Sequence, residues 1–88
     1  MKDSAGRNLR CPPHILERVI RLRKLHGFTQ KQVADKLGIS QQAYSLYERG
    51  LRAIHIDIFV SLALLYGTTV DYILGFTNLV SRSALTEQ

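Results

Sequence analysis

The sequence predicts an all-α fold of five short helices. Apolar residues recur at spacings of three and four along the five segments, as one face of a helix requires. Small polar residues suited to capping precede three of these segments, and a glycine follows each of the five. No apolar run approaches the roughly 18 residues of a membrane span. The helices are therefore expected to form a small globular domain.

Size and composition agree with that expectation. The 88 residues suffice for one small domain with a modest core, and 45% of them are hydrophobic. The single cysteine, Cys11, excludes an internal disulfide and favours a reducing cytoplasm. The three histidines, at 14, 26 and 55, lack metal-ligand spacing, so no metal or other cofactor is expected.

The charges are segregated along the chain. Residues 1–52 hold eleven Lys or Arg against four Asp or Glu, a balance of +7. Residues 53–88 hold one Arg against three acids, a balance of −2, and the whole chain carries +5. A basic half joined to an acidic half indicates a polyanionic partner, such as a nucleic acid, on one side only.

The first helix is predicted at residues 13–26, after an arm of residues 1–12 that is expected to be flexible and basic. Proline is tolerated in a first helical turn, where its missing N–H is not needed. The apolar positions expected to face inward recur at spacings of four and three: Ile15, Val19, Leu22 and Leu25.

Two short helices joined by a tight turn are predicted next. Thr29 with Gln32 three residues later fits a capping box at the start of the second helix. Gly38 ends this helix, because glycine adopts the left-handed conformation without a Cβ clash. Ser40 caps the third helix, which runs to Arg49. Such a pair of helices is typical of a helix-turn-helix.

The fourth and fifth helices are predicted at residues 56–66 and 70–74. His55 precedes the fourth helix as a poor cap, and either Thr68 or Thr69 caps the fifth. The core face of the fourth helix is expected to comprise Ile56, Phe59, Leu62, Ala63 and Tyr66.

The residues from Gln30 to Gly50 resemble the helix-turn-helix of the Cro and phage-repressor family, also called the XRE family. The positions that carry the resemblance are Gln30, Ala34, Gly38, Ile39, Ser40, Tyr44, Tyr47, Glu48 and Gly50. The likeness extends over roughly residues 14–75. It implies a five-helix bundle of the phage-repressor type, with a DNA-binding domain at residues 13–75 and a short tail at residues 76–88.

The resemblance also implies which side chains meet DNA. In the family the third helix enters the major groove and its N-terminal residues read the bases. Gln41 and Gln42 occupy the first two reading positions, and a glutamine amide can pair with adenine. Ala43 and Leu46 complete the outward face. Leu46 either packs on a thymine methyl or lies partly buried against the second helix, and the sequence leaves both open.

Two further sets of residues follow from the resemblance. The predicted phosphate contacts position the protein without reading sequence, and they are Gln30, Lys31, Ser45, Arg49 and Arg52. Arg23 and Glu48 are expected to form a structural pair that holds the third helix in place.

The function that this implies is sequence-specific binding of double-stranded DNA by a small prokaryotic or phage transcriptional regulator, most simply a repressor. The alternative is an antitoxin-like or adaptor subunit that binds a partner protein. The sequence has no serine–histidine–acid or cysteine–histidine arrangement and no phosphate-cradling glycine loop, so an enzyme is not expected.

The fourth helix is apolar nearly all round, which predicts that both of its sides are covered. The five-helix core covers one side, and either the tail or a second copy covers the other. Paired DNA half-sites require a two-fold partner. We therefore predict a homodimer on an inverted repeat, with Ile58, Leu64, Leu65 and Leu79 at its interface.

Overall fold

The computed structural model describes residues 11–78, which contain five α-helices and no strand. The helices are α1 (Pro13–Leu25), α2 (Gln30–Leu37), α3 (Gln41–Glu48), α4 (Ile56–Tyr66) and α5 (Val70–Leu74). The chain divides into two units, one with α1 to α3 and one with α4 and α5, with the boundary between Ile54 and His55. The all-α prediction is confirmed. The predicted arm up to residue 10 and the tail from Leu79 onward lie outside the described residues.

Helix α1 buries Val19 and Leu22 but not Leu25. Leu25 was expected to face inward, and this expectation was wrong, since 72% of its surface is exposed. At about 100° per residue, Leu25 lies about 120° round the helix from Val19, so the stripe has drifted off the buried face by the last turn. The helix ends at Leu25, one residue before the predicted end.

Helices α2 and α3 have the predicted caps. Thr29 Oγ1 accepts a hydrogen bond from the Gln32 N–H at 3.1 Å, and Gln32 Oε1 accepts from the Thr29 N–H at 2.8 Å. Gly38 adopts the left-handed conformation with φ 75°. Ser40 Oγ then accepts from the Ala43 N–H at 3.0 Å and starts α3. Local hydrogen bonds therefore set the starts of α2 and α3, and the backbone conformation of Gly38 sets the end of α2.

Helix α3 packs on α2 and α1 through its aromatic face. Tyr44 is fully buried and Tyr47 is nearly so. Gly50 follows with φ 72°, and a Cβ built there would lie 3.0 Å from Leu16 Cδ1 on α1. The backbone conformation at this position therefore favours glycine, and a Cβ there would require the side chain of Leu16 to shift.

In the second unit, α4 contacts α5 and buries Phe59, Leu62, Ala63 and Tyr66. Ile56 was also expected in the core, and this was wrong, because 65% of its surface is exposed. It is the first residue of α4, on the edge of the face that carries Phe59. Thr69, rather than Thr68, caps α5: its Oγ1 accepts from the Tyr72 N–H at 3.1 Å. None of the described helices is long and apolar enough to cross a membrane.

Candidate nucleic-acid interface

Helix α3 lines a shallow open cavity with a volume of about 490 Å³. We call it the α3 surface, and its lining residues are Gln30, Gln41, Gln42, Ser45, Leu46 and Arg49. Six of the nine side chains predicted to touch DNA thus lie together. The capped N-terminus of α3 explains the arrangement: Ser40 ends the turn, so the next two side chains, Gln41 and Gln42, project from the first helical turn into solvent.

The other three predicted contacts lie apart from this concavity. Ala43 is half-buried on α3, Lys31 is exposed on α2, and Arg52 is exposed in the segment after α3. Lys31 Nζ lies 3.5 Å from Asp35 Oδ2, and both side chains are about two-thirds exposed. Such an exposed pair is weak, at about 0–1 kcal/mol, so it leaves the lysine able to exchange its partner for a phosphate.

Leu46 takes an intermediate position. It is half-buried and also lines the α3 surface. The two alternatives for this residue are therefore compatible in the structure, because one part of the side chain is covered while another part faces the concavity. A hydrocarbon group on the same surface as the glutamine amides suits a thymine methyl rather than a phosphate.

The described parts of the two units differ in the sign of their net charge. The described part of the first unit, residues 11–54, carries eight Lys or Arg and three Asp or Glu, a balance of +5. The described part of the second unit, residues 55–78, carries Asp57 and Asp71 and no Lys or Arg. The α3 surface belongs to the basic unit, where a polyanion is attracted.

Beneath the α3 surface lies a buried polar cluster centred on Glu48. Its side chain is only 3% exposed and accepts hydrogen bonds from three residues. Arg23 donates from Nε at 2.7 Å and from Nη2 at 3.1 Å, Gln30 donates from Nε2 at 2.9 Å, and Tyr44 donates its hydroxyl at 2.5 Å. The predicted structural pair of Arg23 and Glu48 is thus part of a larger network.

The network keeps Glu48 ionised. Burial by itself raises the pKa of this carboxyl, but the hydrogen bonds from Arg23, Tyr44 and Gln30 and the charge of Arg23 outweigh burial. The pKa of Glu48 therefore lies below its ordinary value. An ionised carboxylate can accept all of these hydrogen bonds at once, whereas a protonated one loses acceptor capacity.

The hydrogen bonds of this cluster connect the three helices of the first unit. Arg23 belongs to α1, Gln30 begins α2, and Tyr44 and Glu48 belong to α3. Arg23 Nη1 also donates to the carbonyl of Phe28, in the turn between α1 and α2, at 3.0 Å. Gln30 contributes to both features, since its side-chain amide donates to Glu48 and its side chain also lines the α3 surface.

Sequence reasoning missed two members of the cluster. The hydroxyl of Tyr44 was not assigned a partner, although its spacing of four residues from Glu48 places the two side chains on one face of α3. That spacing is a signal the sequence does contain. The contact of Arg23 with the Phe28 carbonyl has no signal in the sequence, since it depends on the path of the turn.

No group of three or more His, Cys, Asp or Glu side chains that would hold a metal ion occurs within residues 11–78. Burial raises the pKa of the Cys11 thiol above its ordinary value.

Comparison with known proteins shows that the sequence is similar to those of helix-turn-helix transcriptional regulators. A family described as helix-turn-helix matches residues 19–73. The chain is 44% identical over 62 residues to the uncharacterized HTH-type transcriptional regulator YobD of Bacillus subtilis, covering 70% of this chain and 55% of that protein. It is 39% identical over 59 residues to the HTH-type transcriptional regulator ImmR of the same organism, covering 67% and 46%.

A third relative, the HTH-type transcriptional regulator AnsR of Bacillus subtilis, is 38% identical over 60 residues, covering 68% of this chain and 52% of that protein. The chain thus spans about half the length of the curated relatives it matches.

Proposed function

We propose that this chain, which belongs to the helix-turn-helix family, binds double-stranded DNA in a sequence-specific manner and regulates transcription. One observation carries the proposal: the exposed amides of Gln41 and Gln42 open α3 on the concave surface of the basic unit. The relatives named above are transcriptional regulators, which supports the same function and gives no reason to expect catalysis.

Helix α3 enters the major groove, and its first turn reads the bases. A glutamine amide donates to N7 and accepts from N6–H of adenine, and a good bidentate contact discriminates by about 1–3 kcal/mol. Gln41 and Gln42 make these contacts. Ala43 and Leu46 add apolar contact, which suits thymine methyl groups near the adenines.

The phosphate contacts hold α3 in register on the duplex. Arg49 and Ser45 lie on the α3 surface, and Arg52 follows in the next segment. Gln30 and Lys31 lie in the first turn of α2, where the unpaired backbone N–H groups of the helix favour an anion. These contacts raise affinity for any duplex and carry no sequence information.

The Glu48 cluster supports the site from below. Arg23 and Glu48 act as a scaffold that fixes the angle between α3 and the other two helices of the first unit, without touching DNA themselves. Gln30 couples the scaffold to the phosphate contacts, because one side chain serves both.

The protein acts most simply as a repressor in the cytoplasm of a bacterium, as a homodimer on an inverted repeat. Half-sites one helical turn apart, about 34 Å, match a two-fold axis between two copies of α3. Occupation of such an operator excludes other proteins from the same DNA. A protein-binding role, as an antitoxin-like or adaptor subunit, is the second candidate, and the exposed apolar side chains of α4 favour it.

The test selects bound fragments from randomised duplex DNA and then measures affinity at ~50 and ~200 mM salt. The proposal predicts an enriched sequence with two-fold symmetry, and an affinity that falls by about 10³–10⁵ if six to ten phosphates are contacted. The absence of any enriched sequence, together with flat salt dependence, would contradict DNA binding and leave the protein-binding role.

A further inference from the structure

Helix α1 carries a second concave surface, apart from the predicted DNA contacts. It is a shallow open cavity of about 440 Å³, and the described residues that line it are Glu17, Ile20, Arg21, Lys24 and Leu25. These residues recur at spacings of three and four, so they share one side of the helix. We call it the α1 face. It has no lining residue in common with the α3 surface.

The α1 face points away from α3. At about 100° per residue, Arg21 lies about 160° round the helix from Arg23, whose guanidinium contacts Glu48 at the end of α3. The buried residues of α1, Val19 and Leu22, do not belong to the face either. A partner on the α1 face therefore leaves the α3 surface open.

The lining of the face is largely hydrocarbon. Leu25 is 72% exposed, and Ile20 is half-buried. The exposed side chains of Arg21 and Lys24 add their long stems, since such side chains can cover apolar surface while their charged ends stay in water. The face thus offers apolar surface with positive charge at its edge.

The spacing of the lining residues suits a helix as the occupant. Glu17, Ile20, Arg21 and Lys24 stand at i, i+3, i+4 and i+7, the four positions that surround the hole into which a side chain of a second helix inserts. An extended peptide would need a free strand edge, whereas the described residues contain no strand. A helix needs only the apolar hole, because its own backbone groups are already paired.

The charges of the face select the chemistry of that helix. Neither Arg21 nor Lys24 forms an ion pair in the part of the chain that the structure describes, and Glu17 is the one acid among the lining residues. Carboxylates beside the apolar side chains of the occupant would complement the two cations. Nucleic acid fits less well, because its interfaces are polar and would leave the exposed Leu25 without an apolar partner.

A second copy of this face is a poor occupant. An antiparallel crossing that sets Ile20 against Leu25 also sets Arg21 against Lys24, and a parallel crossing sets each cation against its own counterpart. The ends of the chain do not complement the charge of the face. Residues 1–10 carry three Lys or Arg and one Asp, and residues 79–88 carry one Arg and one Glu.

We propose that the α1 face binds an amphipathic, acidic helix of another protein. An apolar side chain of that helix enters the hole beside Ile20 and Leu25, and its carboxylates pair with Arg21 and Lys24. The inference goes beyond the proposed function, since the two surfaces are separate and the protein can bind DNA and the partner together. Five side chains cover less than the roughly 800 Å² per partner of a standard interface, so the contact is weak and reversible.

The first experiment locates the binding site of a defined probe. The probe is a synthetic helical peptide of about 18 residues, with leucines spaced three and four apart and glutamates beside them. It is added to the isotope-labelled full chain, and amide chemical shifts are followed by NMR. The largest changes are expected within residues 17–25. The α3 surface is also basic, so changes confined to it, or no binding at all, would overturn the proposal.

The second experiment removes the apolar part of the contact. Leu25→Asp should weaken binding of the acidic peptide by at least about tenfold, because it places a carboxylate where an apolar side chain is expected. The matched control is Leu51→Asp, the same change at a leucine that is 51% exposed after α3, which should leave the affinity unchanged. Equal losses in both variants would mean that the peptide responds only to net charge, which contradicts a site on α1.

The third experiment reverses the charges and requires a gain of binding, which a poorly folded variant cannot give. The double variant Arg21→Glu, Lys24→Glu should lose the acidic peptide and bind a peptide in which lysines replace the glutamates. The control double variant Lys36→Glu, Arg52→Glu changes the net charge of the chain equally at two other exposed positions and should keep the original preference. A control that also exchanges its preference would overturn the proposal.

The last measurement separates this inference from the proposed function. Random duplex DNA is added at low salt to the wild-type chain with the acidic peptide bound. A ternary complex is expected, because the α1 face and the α3 surface share no residue. Stoichiometric release of the peptide would assign the α1 face to the nucleic-acid interface and overturn the inference. If the duplex does not bind, the proposed function fails while binding of the peptide to α1 still supports this inference.

Discussion

The guanidinium of Arg23 and the carboxylate of Glu48 form a two-pronged ion pair across 25 residues of sequence, with Nε 2.7 Å from Oε2 and Nη2 3.1 Å from Oε1. The two side chains are 13% and 3% exposed. The pair joins the C-terminal half of α1 to the end of α3, so the position of the proposed reading helix depends on it.

We expect Glu48→Ala to lower the stability of the fold and the affinity for DNA together. The change removes the carboxylate that compensates the poorly solvated charge of Arg23, and for buried pairs this costs about 3–5 kcal/mol. Tyr44 and Gln30 lose an acceptor as well. Urea unfolding and DNA titration measure the two effects. The control is Lys31→Ala, which breaks the exposed pair with Asp35 and should change stability by less than about 1 kcal/mol. Unchanged unfolding in Glu48→Ala would contradict the scaffold role.

The stability of the fold should also depend on pH through Glu48. Its pKa is lowered in the folded state, so its contribution is fully present above the ordinary glutamate value, about 4.3, and is lost as the pH falls through the lower folded pKa. Glu48→Gln cannot titrate and should lose less stability than the wild type between pH ~5 and ~3. Urea unfolding at several pH values measures this. Parallel pH profiles for the two proteins would rule out the assignment.

Gln41→Ala and Gln42→Ala should weaken binding to the selected DNA sequence by about 1–3 kcal/mol each, because each removes a bidentate contact to a base. Both side chains are exposed, so thermal stability should hold. Fluorescence titration with the selected duplex and with random duplex gives the specificity ratio. Ser61→Ala, at an exposed polar position of the second unit, serves as the control. Equal losses on both duplexes would count against base reading.

Arg49→Gln should weaken binding uniformly across sequences and reduce the slope of log affinity against log salt by about 0.9, the value for one phosphate contact on duplex DNA. The side chain is exposed on the α3 surface, and the proposed function gives it a phosphate contact rather than a base contact. Lys24→Gln removes an exposed cation of α1 that is outside the predicted contacts and should leave the slope unchanged. If both variants shift the slope equally, binding is only a matter of net charge.

Gly50→Ala should destabilise the first unit more than Gly38→Ala does. Both glycines have φ near 75°, which costs an alanine roughly 1–2 kcal/mol. A Cβ at Gly38 meets nothing within 4 Å, whereas a Cβ at Gly50 approaches Leu16 Cδ1 to 3.0 Å. The difference between the two variants in urea unfolding therefore isolates the packing of α1 against the end of α3. Identical losses would mean that Leu16 moves away without cost.

Much of the local structure was predictable from sequence because its causes lie within four residues of their effects. The caps of α2 and α3 depend on hydrogen bonds from Thr29 and Ser40 to backbone groups three residues later. Gly38 ends α2 through its own backbone conformation. The resemblance to the Cro and phage-repressor family added two predictions, that α3 reads the bases and that Arg23 pairs with Glu48, and the structure shows the pair.

The extent of burial was less predictable. Leu25 and Ile56 are apolar and lie at helical spacing, yet both are exposed, because each stands at one end of its helix, where the described structure leaves the side chain uncovered. The spacing of apolar residues predicts which side of a helix a side chain faces. Whether the side chain is buried depends on how another segment of the chain packs against it.

By itself, the sequence determined the number of helices, the turn that joins α2 to α3, and the amides placed at the start of α3. Only the tertiary structure decided that Glu48 accepts from α1, α2 and α3 at once, that Gln30 shares its side chain between this carboxylate and the α3 surface, and that Ile56, Val60 and Leu64 stay exposed. The physical reason is the distance along the sequence between the residues that interact. Caps and turns are local hydrogen bonds, whereas a buried carboxylate and an open helix face depend on how distant segments pack.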